Sequence, residues 1–262
     1  MQLRAGGPPR VGAPVDLRTP AMTAAPTDPS VITSLPAWSR VLAVVAHPDD
    51  ESFGLGAVLA RFAERGTDVH VLCLTHGEAS SLGSGAADLA SARAMEFAAA
   101  ADRLGVTGGE LLDFPDGGLA SMDSRVLTAN VLAAMTRTHP DGIITFDTTG
   151  VTGHPDHSAA AAAAITAAAT CDLPVLGWTL PADLASELAR TTSSAFRGRP
   201  AHDIDYVIEV GRDRQLAAIT AHASQAVPGS ALWRRLELLG DSEYLVRLDL
   251  ADLDLIPDYD PT

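Results

Sequence analysis

The sequence predicts a single three-layer α/β domain in which a mostly parallel sheet is flanked by helices on both faces. From about residue 40 onward, short apolar runs alternate with segments of helical periodicity. This alternation is typical of βαβ units, whose right-handed crossovers make neighbouring strands parallel. A polar cluster also follows each of the first four strands, and such sheets bind ligands beyond the carboxyl ends of their strands. The pattern therefore predicts a Rossmann-like fold with one ligand site at that edge.

Seven segments have the apolar, β-branched composition of buried strands. They are 41–47 (VLAVVAH), 69–77, 109–119 with its loop, 142–147, 174–181, 203–211 and 244–250. The first four are separated by helical segments, so we expect them to be parallel. The segment 244–250 comes last in the chain, and we expect it to be an edge strand of the sheet.

Five segments have helical spacing of their apolar residues. They are 54–66, 88–106, 123–141, 155–170 and 213–225. The first ends in glycine, which favours a helix C-terminus, and the third is stopped near Pro140. The loops between the elements, at 80–87, 148–153 and 180–201, are expected to set substrate specificity.

The composition excludes several classes of function. The chain has 262 residues and a formal net charge of -15, with 33 acidic against 18 basic residues. Nucleic acid and anionic membrane surfaces both require a basic surface, so neither is an expected partner. All 18 basic residues are arginine, which rules out a lysine Schiff base. No apolar stretch approaches eighteen residues without a charge, so membrane insertion is not expected.

The chain termini and cysteines bear on domain organisation and compartment. Residues 1–36 are rich in proline, glycine and alanine and are expected to form a disordered leader, with the folded domain at 37–262. Met22 is an alternative start. Two cysteines without a framework do not indicate a secreted disulfide fold. We therefore expect Cys73 and Cys171 to be free thiols in a cytoplasmic protein. The sequence is also compatible with a homo-oligomer.

Two motifs carry the side chains of a metal site. HPDDE (47–51) follows the first strand, and GHPDHS (153–158) opens a helix after the fourth. Two imidazoles and a carboxylate are a common ligand set for catalytic zinc, and they leave a position for water. His47, Asp50 and His157 supply such a set. One motif alone could be a turn with an aspartate cap, but two at the same sheet edge favour a metal site.

The same motifs contain groups for proton transfer. Asp49 is the neighbour of Asp50 and is the natural carboxylate to accept a proton from water. His154 lies three residues before His157, so the two rings occupy neighbouring positions at the start of the helix. One ring can bind metal while the other faces the substrate.

AHPDDE after the first strand and GVTGHPDH after the fourth resemble the PIG-L/LmbE family of zinc-dependent de-N-acetylases. The resemblance runs from about residue 40 to 225. It includes THGEAS (75–80), SARAMEFAAAADRLG (91–105), FPDGGL (114–119) and RQLAAITAHASQ (214–225). Arg214 stands where the family usually carries lysine. Family members act on N-acetylglucosaminyl substrates, and others hydrolyse related amides.

The resemblance implies roles for individual residues. It implies zinc bound by His47, Asp50 and His157, with Asp49 as general base. It implies that His154 polarises the carbonyl or stabilises the oxyanion.

The resemblance also implies roles for three further residues, and each of them has a purely structural alternative. Asp156 is implied as the orienting partner of His154, although it could be only a helix first-turn acid. Arg93 and Asp116 are implied to hold the sugar or to order the site. The alternative is that they only form a structural ion pair or stabilise a loop.

The expected function is removal of an acetyl or other acyl group from an N-acetylated sugar or glycoconjugate. Two alternatives remain open at this stage: an amidase that acts on a thiol conjugate or natural product, and a metal-binding relative without turnover. A metal phosphoesterase is disfavoured because no second carboxylate set or basic phosphate clamp is present. GLGAVLA (54–60) lacks the dinucleotide-binding spacing, and no GxSxG elbow follows a strand.

Overall fold

The computed structural model describes residues 31–82, 88–192 and 195–256. Within these ranges one sheet contains seven strands. They are β1 (Arg40–Val45), β2 (Asp68–Thr75), β3 (Gly108–Phe114), β4 (Gly142–Phe146), β5 (Val175–Thr179), β6 (Tyr206–Glu209) and β7 (Ser242–Leu248). The α-helices are α1 (Asp50–Phe53), α2 (Gly56–Glu64), α3 (Leu89–Leu104), α4 (Ser124–Thr138), α5 (Gly150–Gly153), α6 (Pro155–Ala169), α7 (Ala182–Thr191), α8 (Asp213–Ile219) and α9 (Ala231–Leu239).

The strand order is β3-β2-β1-β4-β5-β7-β6. Strands β1 to β5 are parallel, whereas β7 is antiparallel to both β5 and β6. The predicted single α/β domain with a mostly parallel sheet is confirmed. The chain order reverses between β1 and β4, so the loops after these two strands meet at the carboxyl edge of the sheet.

The prediction that 244–250 is an edge strand is wrong. Strand β7 lies between β5 and β6, and Leu245 at its centre is fully buried. The edge strand at this end of the sheet is β6, and Ile32 covers its outer side. The backbone N–H of Ile32 donates to the carbonyl of Asp205, and its carbonyl accepts from the N–H of Val207. Unpaired edges are usually protected in this way.

The core divides between the two faces of the sheet, as the alternating side chains of a strand require. On β1, Val41, Ala43 and Val45 pack on the face covered by α2, while Leu42 and Val44 pack on the face covered by α4 and α6. Helix α6 contributes a run of buried alanines on the second face. These small side chains let the helix lie close to the sheet near β4.

Several elements differ from the sequence prediction. Helix α8 ends at Ile219 rather than 225, because the chain turns there through i→i+3 hydrogen bonds. Helices α7 and α9 were not predicted, and α7 occupies part of the expected loop 180–201. Leu35 is buried, so the folded part of the chain begins before residue 37. Residues 1–30 of the expected leader, and 83–87 of the expected specificity loop, lie outside the described residues.

The helices of the described ranges are all too short or too polar to span a bilayer.

The two cysteines lie in different environments. Cys73 on β2 is fully buried and Cys171 is exposed, and both are free thiols. Burial raises the pKa of the Cys73 thiol well above its ordinary value, which suppresses the reactive thiolate.

We therefore expect iodoacetamide, without reductant, to add once to the native protein, at Cys171, because only that thiol is accessible. In denaturant it should add twice. Intact mass and peptide mapping measure both outcomes, with Cys171→Ser as the control that abolishes native labelling. Absence of any adduct in denaturant would reveal a disulfide and contradict this assignment.

Candidate active site

The loop after β1 fixes the position of Asp50. One carboxylate oxygen, Oδ2, accepts hydrogen bonds from the backbone N–H groups of Ala46 (3.2 Å) and His47 (2.9 Å). The other oxygen, Oδ1, lies 3.1 Å from Nε2 of His157. The turn that ends β1 therefore holds the Asp50 side chain and directs one oxygen across the sheet edge toward α6.

The start of α6 fixes the position of His157. Pro155 occupies the first helical turn, which its fixed φ favours. Nδ1 of His157 lies 3.0 Å from the carbonyl oxygen of Gly150. Because a carbonyl can only accept, Nδ1 carries the proton and Nε2 presents its lone pair toward Asp50.

Two carboxylates orient the ring of His47. Its Nε2 lies 3.0 Å from Oδ1 of Asp116 and 3.4 Å from Oδ2 of Asp156. Burial opposes ionisation of these acids, but contact with His47 lowers the pKa of both. Ionised carboxylates only accept hydrogen bonds, so Nε2 is the donor, and in the neutral ring Nδ1 presents its lone pair.

When the His47 ring is neutral, His47, Asp50 and His157 therefore converge without a donor between them. Nδ1 of His47 lies 3.3 Å from Nε2 of His157 and 3.6 Å from Oδ2 of Asp50, and all three residues are buried. Ligands about 2.0–2.2 Å from a tetrahedral ion lie roughly 3.3–3.6 Å apart, so these atoms fit a zinc-sized cation. Together the three residues form a group able to hold a metal ion.

The charge around His47 also favours a cation. Burial lowers the pKa of His47, but its hydrogen bonds to the carboxylates of Asp116, Asp156 and Asp50 raise that pKa to about 12. This concentration of negative charge requires a positive charge at the ring, which either a proton or a metal ion supplies.

A second group, His47, His154 and Asp156, has the same residue types within reach. However, both oxygens of Asp156 accept backbone hydrogen bonds, from Gly117 (2.8 Å) and Leu119 (3.0 Å). Its carboxylate therefore holds the loop after β3 and cannot turn freely toward a metal. The first group has the better placed lone pairs.

His154 lies beside the metal group as the N-cap of α6. Its Nδ1 accepts a hydrogen bond from the backbone N–H of Asp156 (3.2 Å), so in the neutral ring Nε2 carries the proton. Burial, followed by the charges of His157 and His47, lowers the pKa of His154. The ring is half-buried and is a neutral donor. Its orientation comes from the backbone of Asp156, whereas the expected partner was the Asp156 carboxylate.

Asp49 occupies a conformation that few residues adopt. Its φ is 132° and ψ is -25°, and it is the N-cap of α1 without a side-chain cap hydrogen bond. The carboxylate instead lies 3.1 Å from the guanidinium of Arg93. Burial raises the pKa of Asp49 to about 6, against the lowering effect of Arg93. A pure capping role is not supported, because this carboxylate makes no cap.

Arg93 and Asp116 connect neighbouring loops to the site. Arg93 is buried and donates to the carbonyl oxygens of Gly77 (2.6 Å) and Pro48. A Cβ on Gly77, whose φ is 63°, would lie 2.1 Å from Nη1 of Arg93, so this close approach requires glycine. Oδ2 of Asp116 accepts from the backbone N–H of Ala79 (2.9 Å). Both side chains contact protein atoms of the loops after β1 and β2.

Sequence reasoning gave no role to Glu51 or His222. Both are fully buried, and Nε2 of His222 lies 2.7 Å from Oε1 of Glu51. Oε2 of Glu51 accepts from the backbone N–H of Asp49 (2.9 Å). The only sequence signals were their presence in HPDDE and in AHASQ (221–225).

Asp147 at the end of β4 was also missed. It is fully buried and accepts hydrogen bonds from Arg199 (2.7 and 3.0 Å) and Thr179 (2.8 Å). This ion pair fixes the start of the loop that carries Gly150 and His154.

Comparison with known proteins places this geometry in a family. Residues 42–168 match the family model described as PIG-L: GlcNAc-PI de-N-acetylase. A deacetylase of 1D-myo-inositol 2-acetamido-2-deoxy-α-D-glucopyranoside from Mycobacterium bovis (strain BCG) is 33% identical over 271 residues, covering 79% of this chain and 89% of the relative. Five other relatives of that name are 32 to 36% identical, but the chain spans only 45 to 64% of their length.

Solved structures share the fold. The A40926 pseudoaglycone deacetylase has a TM-score of 0.62 at 23% identity, covering 80% of this chain and 97% of that one. The 4-carboxy-2-hydroxymuconate hydratase of Pseudomonas putida has a TM-score of 0.61 at 19% identity, covering 80% and 96%. The fold therefore hosts more than one reaction. The motif spacing, the match over 42–168 and the extended match to the mycobacterial relative show that the chain belongs to the PIG-L family.

Proposed function

We propose that this protein is a zinc-dependent hydrolase that removes the acetyl group from an N-acetylated amino sugar, such as an N-acetylglucosaminyl conjugate. The proposal rests above all on the convergence of Nδ1 of His47, Asp50 and Nε2 of His157, with their lone pairs facing one another. Asp49 and His154 flank this group, and the named relatives are deacetylases of such a sugar.

Each residue has a defined task in this mechanism. When bound by His47, Asp50 and His157, zinc would lower the pKa of water and polarise an amide carbonyl. Asp49, whose pKa is raised to about 6 by burial, accepts the proton of the attacking water. His154 donates its Nε2–H to the oxygen that becomes negative as the carbonyl carbon turns tetrahedral.

The leaving amine then needs a proton. The proton held by Asp49 is transferred to the nitrogen as the C–N bond breaks, while the neutral His154 remains a hydrogen-bond donor. The hydrogen bond that Nδ1 of His154 accepts leaves Nε2–H as the donor available to the oxyanion. Arg93 and Asp116 order Asp49 and His47 in this scheme rather than contacting the sugar.

We propose that part of the substrate occupies a cavity lined by the chain neighbours of His154, although neither His154 nor the three candidate metal ligands line it. A cavity of about 540 Å³ borders Gly153 and Pro155 on one side and Leu119 and Arg197 on another. Its volume falls within the range of roughly 300–1,000 Å³ typical of small-molecule sites. The rest of a glycoconjugate is proposed to extend into it.

The free thiols of Cys73 and Cys171 fit a reducing compartment, and we propose that the enzyme acts in the cytoplasm.

A non-catalytic relative would retain ligands without needing Asp49 and His154 in place, and both flank the metal group here. An amidase for a thiol conjugate or natural product would use the same residues.

An amine-release assay on a panel of N-acetylated sugars and other amides, with and without zinc chelation, tests the function. We expect chelator-sensitive release from the sugars. Release only from the other amides would support the alternative.

We expect the purified protein to contain about one zinc ion per chain, as a three-ligand catalytic site would hold. His157→Ala should lose most of it, because the Nε2 lone pair is removed. Metal analysis by mass spectrometry measures the content. His202→Ala, at an exposed position whose ring lies beside Asp203, is the matched control and should retain zinc. Full zinc in His157→Ala would exclude His157 as a ligand.

Asp49→Asn should keep zinc and substrate binding but lower kcat by about 10²–10⁴-fold, because a general base is removed. A base works only when deprotonated, and the metal-free pKa of about 6 is lowered further by a neighbouring cation. The wild-type rate should therefore fall as pH drops below about 6. Asp49→Asn should lose this acidic limb.

Steady-state kinetics across pH, with zinc measured on each preparation, show whether Asp49 acts as the general base. Asp50→Ala is the comparison variant, since it should lose both zinc and activity. A near-wild-type kcat for zinc-loaded Asp49→Asn would remove Asp49 from the mechanism.

A further inference from the structure

The conformation of Asp49 requires support from neighbouring groups. With φ at 132°, its backbone lies where L-residues are strained, at a cost of order 1–3 kcal/mol, and such strain persists only where the surroundings impose it. Arg93 holds the Asp49 carboxylate and the carbonyl of Pro48. The backbone N–H of Asp49 is held separately, by Oε2 of Glu51 at 2.9 Å.

Glu51 is itself fixed from two directions. Oε1 accepts from the hydroxyl of Ser52 at 2.6 Å and from Nε2 of His222 at 2.7 Å. Glu51 and His222 are both 0% exposed. A buried carboxylate is tolerated only when its oxygens are paired, so the Glu51 orientation depends on these donors.

His222 comes from a distant part of the chain. It lies in the turn after α8, 171 residues from Glu51, and its ring packs edge-on against Phe53 at 5.7 Å. Its Nδ1 has no hydrogen-bond partner among the described residues. The ring therefore makes one polar contact, and that contact is to Glu51.

We propose that His222 and Glu51 are positioning residues for catalysis: His222 fixes the Glu51 carboxylate, and Glu51 fixes the strained backbone of Asp49 so that its side chain faces the attacking water. This inference rests on the proposed function. Neither residue contacts substrate or metal. Their effect reaches the reaction only through Asp49.

The size of the effect follows from geometry. Without the Glu51 contact, the Asp49 N–H is unpaired and its φ relaxes toward a common value, which moves the carboxylate. A misplacement of about 1 Å at a reacting group costs on the order of 10²-fold in rate. Zinc would be held through Asp50, whose own hydrogen bonds to Ala46 and His47 are independent of Glu51.

The test compares three variants of the zinc-loaded enzyme. His222→Leu has no donor and should lower kcat by about 10- to 100-fold, with zinc content and KM near wild type. His222→Gln can place an amide N–H near Nε2 and should recover kcat to within about fivefold of wild type. Ser224→Ala is the matched control, because it removes a hydrogen bond of 2.6 Å from the same turn to Glu96 without touching Glu51.

A double-mutant cycle separates positioning from general damage. In the Asp49→Asn background, His222→Leu should change kcat by less than about twofold, because residues that act as a unit are non-additive. If His222→Leu lowers kcat as much in the Asp49→Asn background as in the wild type, the positioning role is wrong but the base assignment of Asp49 stands. A wild-type kcat in Asp49→Asn by itself overturns the base assignment and this inference with it.

Two further results would also overturn the positioning role. One is a wild-type kcat in His222→Leu, and the other is a loss in His222→Gln or Ser224→Ala as large as that in His222→Leu. If His222→Leu does not fold, Glu51→Gln takes its place in the cycle, because a neutral amide oxygen accepts the Asp49 N–H more weakly than a carboxylate.

Discussion

The site depends on the way His47 and His157 turn their ring nitrogens toward each other. Each ring is fixed by its far nitrogen: His47 by the carboxylates of Asp116 and Asp156, and His157 by the carbonyl of Gly150. In the neutral rings the near nitrogens are therefore both acceptors, 3.3 Å apart, with Asp50 beside them. Such an arrangement is repulsive unless a positive charge, a proton or a metal ion, lies between the groups, so the surrounding contacts favour a cation at this point.

The rest of the fold supplies these outer contacts from separate loops. The loop after β3 carries Asp116 and donates backbone hydrogen bonds to Asp156, while the ion pair of Asp147 and Arg199 anchors the loop before α6. On the other side, Arg93 and Glu51 hold Asp49 in a strained conformation. The strain lies at the proposed base and not at the metal ligands, which agrees with the tendency of functional sites to store it.

Much of this could be read from the sequence, because βαβ alternation and strand-end motifs are local signals. HPDDE and HPDH were enough to select three side chains that do lie together. The order of β6 and β7 was not accessible, since an apolar pattern identifies a buried face but not a neighbouring strand. The partners of Asp156 and His222 depend on contacts made 37 and 171 residues away along the chain. Helix α7 was missed because its buried apolar stripe is short, with only Ala185 and Leu188 buried, and most of the helix is polar.

The most direct test of the account is the position of the metal in a zinc-loaded crystal, located by anomalous diffraction at the zinc edge. We expect one strong peak bound by Nδ1 of His47, a carboxylate oxygen of Asp50 and Nε2 of His157, with Nε2 of His47 still facing Asp116. His47 belongs to both candidate metal groups, so the ring nitrogen that binds decides between them. A peak bound instead by Nε2 of His47, with His154 and Asp156, would contradict the central claim.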